Sequence, residues 1–383
     1  MRSIASRISV MSGEGALSVF ARAKELEAQG HSIIHLELGE PDFHPGQSVI
    51  DSAARALAEG RDRYCAVAGI PRLREEIAAY LDRTRNIKVS ADNVVVFPGA
   101  KIALFQAMMA LLEAGDEVLY PDPGFPGYAS IALGLGAVAV PFTLSARNQF
   151  QPDPAEIAAK ITPRTRMLLT NSPGNPTGTV YTDAVQRAMA ELAVKHDLWV
   201  LSDEIYARII YGGEYPSMLR YPGMHERTLI IDGFSKSFAM TGWRLGYAVA
   251  PPEVVPALNM MIVNTFTCVA EFTQIAAIDA LRDREGNTDR MVGEFARRRE
   301  QFARDLNRVP GFRILPPDGA FYGWVDITGT GVPAEELCRV MLEEGGVAAI
   351  PGAAFGPAGK DFVRFSFASS METLREAVDR IQK

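Results

Sequence analysis

The 383-residue chain has few cysteines, no long apolar segment and nothing that marks export. Its three cysteines, Cys65, Cys268 and Cys338, are odd in number and far apart, so no disulfide framework is indicated. Residues 1–20 lack the long apolar core of a signal peptide. The longest apolar stretch, 131–142, is too short to span a bilayer and is interrupted by glycine and proline. We therefore expect a cytoplasmic protein that is neither secreted nor embedded in a membrane.

The charge pattern argues against a nucleic-acid partner. The formal net charge is −7, and no stripe of lysine and arginine stands out. The basic run 297–299 lies within a polar helical pattern, which favours a solvated helix face.

Common catalytic signatures are also missing. The sequence contains no GxxxxGK[ST], HExxH, CxxC or GxSxG motif, and no metal site is expected. One dinucleotide-like match at 134–139 follows a predicted helix and precedes a strand, whereas dinucleotide binding needs the reverse order. We interpret it as a helix-to-strand turn.

What the sequence does contain is an alternation of short apolar runs and amphipathic helices. The chain length indicates about two domains. Strands are predicted at 93–97, 117–120, 167–170, 199–202 and 228–232, and helices at 102–114 and 183–196. This alternation is typical of an α/β fold with a largely parallel sheet buried on both faces. We assign 46–284 to this large domain.

The two chain ends have a different pattern. A helix is predicted at 16–29, and a long helix begins near Pro252. From 287 onward a charged helix, short strands and a closing helix follow. We expect 1–45 and 285–383 to form a smaller α+β domain together.

The main chemical signal is the segment DGFSKSFAMTGWRLGY at 232–247. Lys236 follows an apolar strand, at the carboxyl edge where open α/β sheets bind ligands. Partial desolvation there would lower the pKa of an amine and make it nucleophilic. Arg244, eight residues on, can present a planar fork to a phosphate. A lone lysine after a strand is otherwise usually a solvated surface residue.

Three further segments lie at the same predicted edge: FPGAK at 97–101, NSPGNPTG at 171–178 and DEIY at 203–206. With them, the chain resembles the class I/II aminotransferases of pyridoxal-5′-phosphate (PLP) fold type I, and within these the group of bacterial aspartate and aromatic aminotransferases. The resemblance runs from GEPDF at 39–43 to RFSF at 364–367. It implies a mainly parallel seven-stranded sheet between helices, a smaller α+β domain, and PLP as the cofactor.

The resemblance also implies roles for individual residues. Lys236 would hold PLP as a Schiff base and carry the proton in transamination. Asp203 would keep the pyridine nitrogen protonated, so that the ring accepts electrons; alternatively it is a helix N-cap. Tyr206 and Asn175 would hydrogen-bond the ring's 3′ oxygen, although an isolated Asn-Pro is by default a turn.

A second set of residues would hold the rest of the cofactor. Backbone amides at the start of a helix form an anion site, which suits the phosphate. Ser235 is a weaker assignment, because the family often has another hydroxyl two positions earlier, where this chain has glycine. An aromatic ring would stack on the pyridine, with core packing as the alternative. These cofactor-binding residues are Gly99, Ala100, Lys101, Phe125, Ser235 and Arg244.

Substrate binding and assembly complete the implied site. Arg364 would bind the substrate α-carboxylate bidentately, beside Asn175 and Gly39. Tyr64 matches a tyrosine that reaches the partner subunit's cofactor phosphate, which implies a homodimer with shared active sites. An arginine in a late strand is otherwise often a surface ion-pair partner.

The substrate pair is less defined. The resemblance implies that Lys101 would help to bind the distal carboxylate of a dicarboxylic donor such as aspartate, whereas Ser12 and Glu14 depart from the family's pattern at the expected mouth. Glutamate with 2-oxoglutarate is a second reasonable pair. The prediction is an aminotransferase that moves an amino group from an L-amino acid to a 2-oxo acid. A PLP-dependent β-elimination lyase and, less favoured, an effector-sensing domain are the alternatives.

Overall fold

Strands and helices alternate along most of the chain in the computed structural model, which describes residues 4–13 and 15–383. In chain order the strands are β1 (Ile34–His35), β2 (Val94–Phe97), β3 (Glu117–Asp122), β4 (Val138–Thr143), β5 (Thr165–Asn171), β6 (Trp199–Asp203), β7 (Thr228–Gly233), β8 (Gly246–Val249), β9 (Tyr322–Asp326), β10 (Val347–Ala348), β11 (Ile350–Pro351) and β12 (Phe362–Ser366). The helices are α1 (Gly15–Ala28), α2 (Gln47–Ala58), α3 (Pro71–Arg85), α4 (Ala100–Leu111), α5 (Gly127–Gly134), α6 (Pro154–Lys160), α7 (Asp183–Lys195), α8 (Val255–Val263), α9 (Glu271–Arg282), α10 (Asn287–Leu306), α11 (Ala334–Glu343) and α12 (Met371–Ile381).

The large sheet has seven strands in the order β2-β8-β7-β6-β5-β3-β4. All its strands run in one direction except β8, which is antiparallel to both β2 and β7. Nearly every residue of β2, β5, β7 and β8 is buried, as expected for a sheet covered by helices on both faces. The expectation of a mainly parallel seven-stranded sheet is confirmed.

The chain ends meet in a second, smaller layer. β1 from the N-terminal part pairs in parallel with β10 from the C-terminal part, and β11, β12 and β9 form a separate antiparallel sheet. The long helix α10 packs its apolar face into the same core as α12 and this sheet. These contacts agree with a small domain built from both ends, while the boundaries at 46 and 284 stay a prediction.

Two expectations about helices are wrong. The single long helix from Pro252 is instead two helices, α8 and α9, because the intervening segment is rich in poor helix formers and turns at Thr267, whose φ is +65°.

The basic run 297–299 is not uniformly solvated: Arg298 is buried, contacts Asp42 at 2.7 Å and lies 5.2 Å from the Phe43 ring centre. Its long side chain connects the helix to the segment that enters the active site, which helical periodicity alone does not reveal.

The turn at 134–139 is confirmed, since it joins α5 to β4. The three cysteines are free thiols, and Cys65 and Cys268, far apart along the chain, are neighbours in space: the Cys65 amide donates to Cys268 Sγ at 3.4 Å. Within the described ranges, no helix combines the length and the apolar character that a bilayer crossing requires.

Candidate active site

A cavity of about 280 Å³ opens at the carboxyl edge of the large sheet. Asn171, Asp203 and Gly233 are the last residues of β5, β6 and β7, so parallel strands deliver the polar segments that follow them to one edge. β8 runs the other way, and its beginning therefore lies at the same edge. This reversed strand brings Arg244, two residues before it, into the wall that also contains Lys236.

Lys236 lies in the cavity wall three residues after β7. Its Nζ donates a hydrogen bond to the carbonyl oxygen of Gly39, at 2.5 Å. The amine is half-buried, so it faces the cavity from a position with restricted access to water. A Cβ at Gly39 would meet the Tyr322 hydroxyl, so a side chain at this position would require the tyrosine to move.

Asp203 ends β6 and presents its carboxyl to the same cavity. Oδ2 accepts a hydrogen bond from the Tyr128 hydroxyl at 2.7 Å, and Oδ1 accepts from the backbone amide of Ile205 at 3.2 Å. Burial raises the pKa of this carboxyl to about 6, and the two hydrogen bonds oppose that rise. No helix begins directly after β6 among the described residues, so Asp203 is not a helix N-cap; its second hydrogen bond holds the turn that follows the strand.

Tyr206 and Tyr322 form a hydroxyl pair in the cavity. Their oxygens lie 2.6 Å apart, and their rings meet edge to face. Burial raises the pKa of the Tyr206 hydroxyl well above its ordinary value, and the contact with Tyr322 adds to the rise. Tyr206 is therefore a neutral hydrogen-bonding group throughout the physiological range.

Arg364 in β12 reaches the cavity from the small sheet. Its Nη1 donates to Asn175 Oδ1 at 3.0 Å, and its Nη2 donates to the Glu37 carbonyl oxygen. The guanidinium lies 4.5 Å from the Tyr322 ring centre and 4.9 Å from that of Phe355. It is buried, so the prediction of a surface ion-pair partner does not apply. Aromatic faces and two oxygen acceptors hold the planar fork in one orientation.

The segment between β2 and α4 forms a tight cradle. Gly99 has a φ of +98°, and a Cβ at this position would lie 2.5 Å from Arg244 Nη2. Ala100 begins α4, so backbone amides at the helix start are directed toward the same region. Arg244 itself is in left-handed backbone (φ +52°), and its Nη1 donates to the Thr241 carbonyl oxygen at 2.9 Å. Ser235 lines the cavity between them and Lys236.

The aromatic and substrate-facing side of the cavity is lined by Phe125 and Lys101. The Lys101 ammonium lies 5.4 Å from the centre of the Phe125 ring, and that ring meets Tyr128 edge to face. Ser12, at the expected mouth, is bound through its backbone to the Ser130 hydroxyl at 3.0 Å. Glu14 lies outside the described residues.

The structure brings nearly all the predicted site residues together. Besides Lys236, the cavity is lined by Gly39, Ala100, Lys101, Phe125, Asn175, Asp203, Tyr206, Ser235, Arg244 and Arg364. Gly99 packs directly on Arg244. Tyr64 is the exception: it does not line the cavity of its own chain and is 85% exposed.

Sequence reasoning missed two tyrosines. Tyr128 stands three residues after Phe125, in the segment that follows β3, and this proximity is the one signal in the sequence that indicates it. Tyr322 follows Phe321 in an apolar strand, where alternation predicts a core residue and gives no indication of a site. Its position next to Tyr206 and Arg364 results from the contact between the small sheet and the large one.

Comparison with known proteins places this site in a family. The model of the aminotransferases of class I and II matches residues 31–381. The chain belongs to the class I and II aminotransferases. It is 39% identical to an aspartate aminotransferase of Pyrococcus horikoshii, over 99% of this chain and 96% of that protein. It is 38% identical to an aspartate/prephenate aminotransferase of Thermus thermophilus, over 100% and 99%.

Solved structures agree with the sequence relatives. The chain superposes on the structure of the aspartate aminotransferase from Thermus thermophilus determined with maleate, and the TM-score is 0.95. The two are 37% identical, and the match covers 100% of this chain and 99% of that one. The predicted fold class and the transaminase activity are thereby confirmed. Neither the family nor these relatives favour the lyase alternative.

Proposed function

We propose that this aminotransferase uses PLP, bound through Lys236, to move an amino group from an L-amino acid to a 2-oxo acid. The observation that carries the proposal is the convergence of three groups in one cavity. A lysine amine, a carboxyl whose pKa is raised to about 6, and a buried arginine fork all line it. These are Lys236, Asp203 and Arg364.

The residues of the cavity fit the cofactor. Its phosphate is an anion, and Arg244, Ser235 and the amides at the start of α4 provide a cation and hydrogen-bond donors for it. The close approach of Arg244 leaves no room for a Cβ at Gly99, which is the property of a cradle built around a small anion. When bound, PLP supplies an aldehyde that condenses with amines and a ring that accepts electrons.

Asp203 and Tyr206 would hold the ring. An ionised Asp203 carboxylate would accept a hydrogen bond from the protonated ring nitrogen. The Tyr128 hydroxyl already donates a hydrogen bond to Oδ2 of the same carboxylate. The neutral Tyr206 hydroxyl and the Asn175 amide would donate to the ring's 3′ oxygen. Phe125 would cover one face of the ring. Lys101 lies over the Phe125 ring and belongs to the same wall.

Lys236 and Arg364 would act on the substrate. The Arg364 fork binds an α-carboxylate bidentately, with Asn175 and the Gly39 backbone beside it. This contact would orient the substrate with its Cα hydrogen toward Lys236. The Lys236 Nζ, released from Gly39, would accept the proton from the substrate Cα and deliver it to the aldehyde-derived carbon of the cofactor within the same half-reaction. In the second half, with the 2-oxo acid bound, it would carry a proton in the opposite direction.

For the substrate pair we propose aspartate or glutamate as donor and 2-oxoglutarate as acceptor. The names of the relatives support a dicarboxylic donor, and the Lys101 ammonium is suited to a distal carboxylate.

We also propose a homodimer, because an aromatic residue as exposed as Tyr64 has no packing role in its own chain. Cytoplasmic location stays a prediction.

Reductive labelling tests the assignment of the lysine. Protein loaded with PLP is reduced with borohydride, digested and mapped by mass spectrometry, with Lys101→Ala as control because Lys101 lies in the same cavity. The label is expected on Lys236 in both proteins and nowhere in Lys236→Ala. A label on another lysine contradicts the proposal.

A donor screen tests the reaction. Amino acids are offered with 2-oxoglutarate or pyruvate while the cofactor absorbance is followed. A spectral cycle that depends on the oxo acid is expected. Release of ammonia and a 2-oxo acid without such a cycle would support the lyase instead.

A further inference from the structure

A buried ion cluster adjoins the two strand ends that carry Asp203 and Lys236. Arg85, the last residue of α3, donates from Nη1 to Glu204 Oε2 at 2.7 Å and from Nη2 to Asp232 Oδ2. The three side chains are at most 3% exposed. Glu204 directly follows Asp203, and Asp232 precedes Lys236 by four residues. The cluster thus connects a helix end to both catalytic segments, away from solvent.

Both carboxylates of the cluster are fixed at more than one atom. Glu204 Oε1 accepts from the Ser217 hydroxyl at 2.8 Å. Asp232 Oδ2 accepts from the Tyr247 hydroxyl at 2.9 Å, and Oδ1 from the Gly233 amide at 2.6 Å. Each carboxylate is therefore held in place by its neighbours. Because the Arg85 guanidinium binds both carboxylates, it connects the end of β6 to the end of β7.

The charges of the cluster do not cancel. When ionised, Glu204 and Asp232 bring two negative charges, and Arg85 offsets one of them; burial raises the pKa of the Glu204 carboxyl, and Arg85 opposes that rise. Both carboxylates act on Asp203 and raise its pKa, in addition to the larger effect of burial. Without Arg85, two uncompensated charges would face the carboxyl that must be ionised to hold the cofactor nitrogen.

We propose that Arg85 is a positioning residue for transamination, which aligns the strand ends bearing Asp203 and Lys236 and supplies the charge that keeps Asp203 ionised. The inference rests on the proposed role of Asp203 toward PLP. None of the three members of the cluster lines the active-site cavity, so Arg85 acts through Glu204 and Asp232.

Other groups also act on Asp203 and must stay constant in any test. Tyr128 donates a hydrogen bond to Asp203, and Tyr206 and Tyr215 interact with it electrostatically. Lys236 lines the same cavity wall. Lys101, Arg244 and Arg364 line the same cavity. All of these remain unchanged in variants of the buried cluster.

The test compares variants with opposite effects on the local charge. Arg85→Met removes a positive charge, Asp232→Asn removes a negative one, and Arg85→Lys keeps the charge but contacts fewer oxygens. The dissociation constant of PLP is measured by absorbance titration across pH, and kcat/KM is measured over the same range.

The affinity for PLP and kcat/KM should both decline on the acidic side as Asp203 becomes protonated, and we call this decline the acidic limb. We expect the acidic limb to lie about one pH unit or more higher in Arg85→Met and at lower pH in Asp232→Asn. PLP binding by Arg85→Met should weaken about tenfold near pH 6 and recover toward pH 8.5. Arg85→Lys should keep the limb of the wild type while losing kcat. A merely structural role would lower affinity equally at every pH and shift no limb.

Shifts in the same direction for Arg85→Met and Asp232→Asn, or none in either, would overturn the proposal. If Arg85→Met does not fold, Glu204→Gln takes its place beside Asp232→Asn, and both limbs should then move downward. Asp203→Asn separates the two hypotheses: it should abolish the limb altogether. A limb that persists unchanged in Asp203→Asn refutes the role of Asp203 itself, whatever Arg85 does.

Discussion

The Tyr128 hydroxyl donates a hydrogen bond to Asp203 Oδ2 at 2.7 Å. Asp203, which we propose binds the cofactor nitrogen, is thus held in place by a buried phenol. Burial raises the pKa of Asp203, and this hydrogen bond lowers it. The phenol therefore favours the ionised carboxylate, the form that the proposed reaction needs.

Removing this hydroxyl should shift the pH profile. Tyr128→Phe leaves the ring packing intact but withdraws a donor from Asp203, so the pKa of the carboxyl should rise. We expect the acidic limb of kcat/KM to move upward by about one pH unit, with little loss near pH 8.5. Tyr181→Phe is the matched control, because the buried Tyr181 hydroxyl has no hydrogen-bond partner among the described residues. Equal profiles for the two variants would contradict the prediction.

The raised pKa of Asp203 also predicts a stability effect in the cofactor-free protein. The folded pKa is about 6 against an ordinary value of 3.8, so the folded state binds more protons between these values. The contribution of Asp203 to the free energy of unfolding is therefore fully present below about pH 4 and is lost as pH rises through 6, by about 3 kcal/mol at pH 7. Asp203→Asn removes this cost.

Urea unfolding of cofactor-free wild type and Asp203→Asn measures this difference. The variant should be more stable at pH 7, by an amount that approaches 3 kcal/mol, and the two should coincide near pH 4. A variant that is less stable at every pH would mean that the ionised carboxylate is not costly in the fold.

Gly99→Ala should damage the phosphate cradle. The new Cβ would lie 2.5 Å from Arg244 Nη2, and the backbone at φ +98° already disfavours a side chain. Gly115→Ala is the control, because Gly115 has a φ of +94° and open space around its Cβ position. We expect PLP affinity to fall by about tenfold or more in Gly99→Ala and to remain near the wild type in Gly115→Ala. Equal affinities would show that the close contact with Arg244 is not needed for binding.

Mixed dimers test the proposed role of Tyr64. Subunits with Lys236→Ala should be inactive, and subunits with Tyr64→Phe should have a weakened contact to the cofactor phosphate. If Tyr64 serves the partner's lysine, a heterodimer has one site with both changes and one with neither. Mixing should then restore a site with wild-type PLP affinity and single-turnover rate.

The mixing ratio gives the quantitative check. Recovery should be greatest where heterodimers are most abundant. Subunit exchange is verified independently, for example by native mass spectrometry of tagged chains. Verified exchange without any recovery would assign Tyr64 to its own subunit's site or to no site.

The sequence determined the elements that position the site. Strands with continuous apolar runs, such as β5 and β7, and the amphipathic α7 were predictable because burial on both faces and helical periodicity leave local patterns. The strand pattern places Lys236 and Asp203 at one edge of the sheet, but their roles are implied by the resemblance of their motifs to those of the class I/II aminotransferases. Gly99 was predictable as the residue between a strand and a helix.

Tertiary structure decided the contacts between distant segments. The pairing of Tyr206 with Tyr322, the hydrogen bond from Tyr128 to Asp203 and the burial of Arg298 join residues with no local pattern in common. Arg85 is one of several arginines on α3, and periodicity does not distinguish it from a solvated one. Two carboxylates at the ends of neighbouring strands make it a buried cation, and only the packing of α3 against those strands brings the three together.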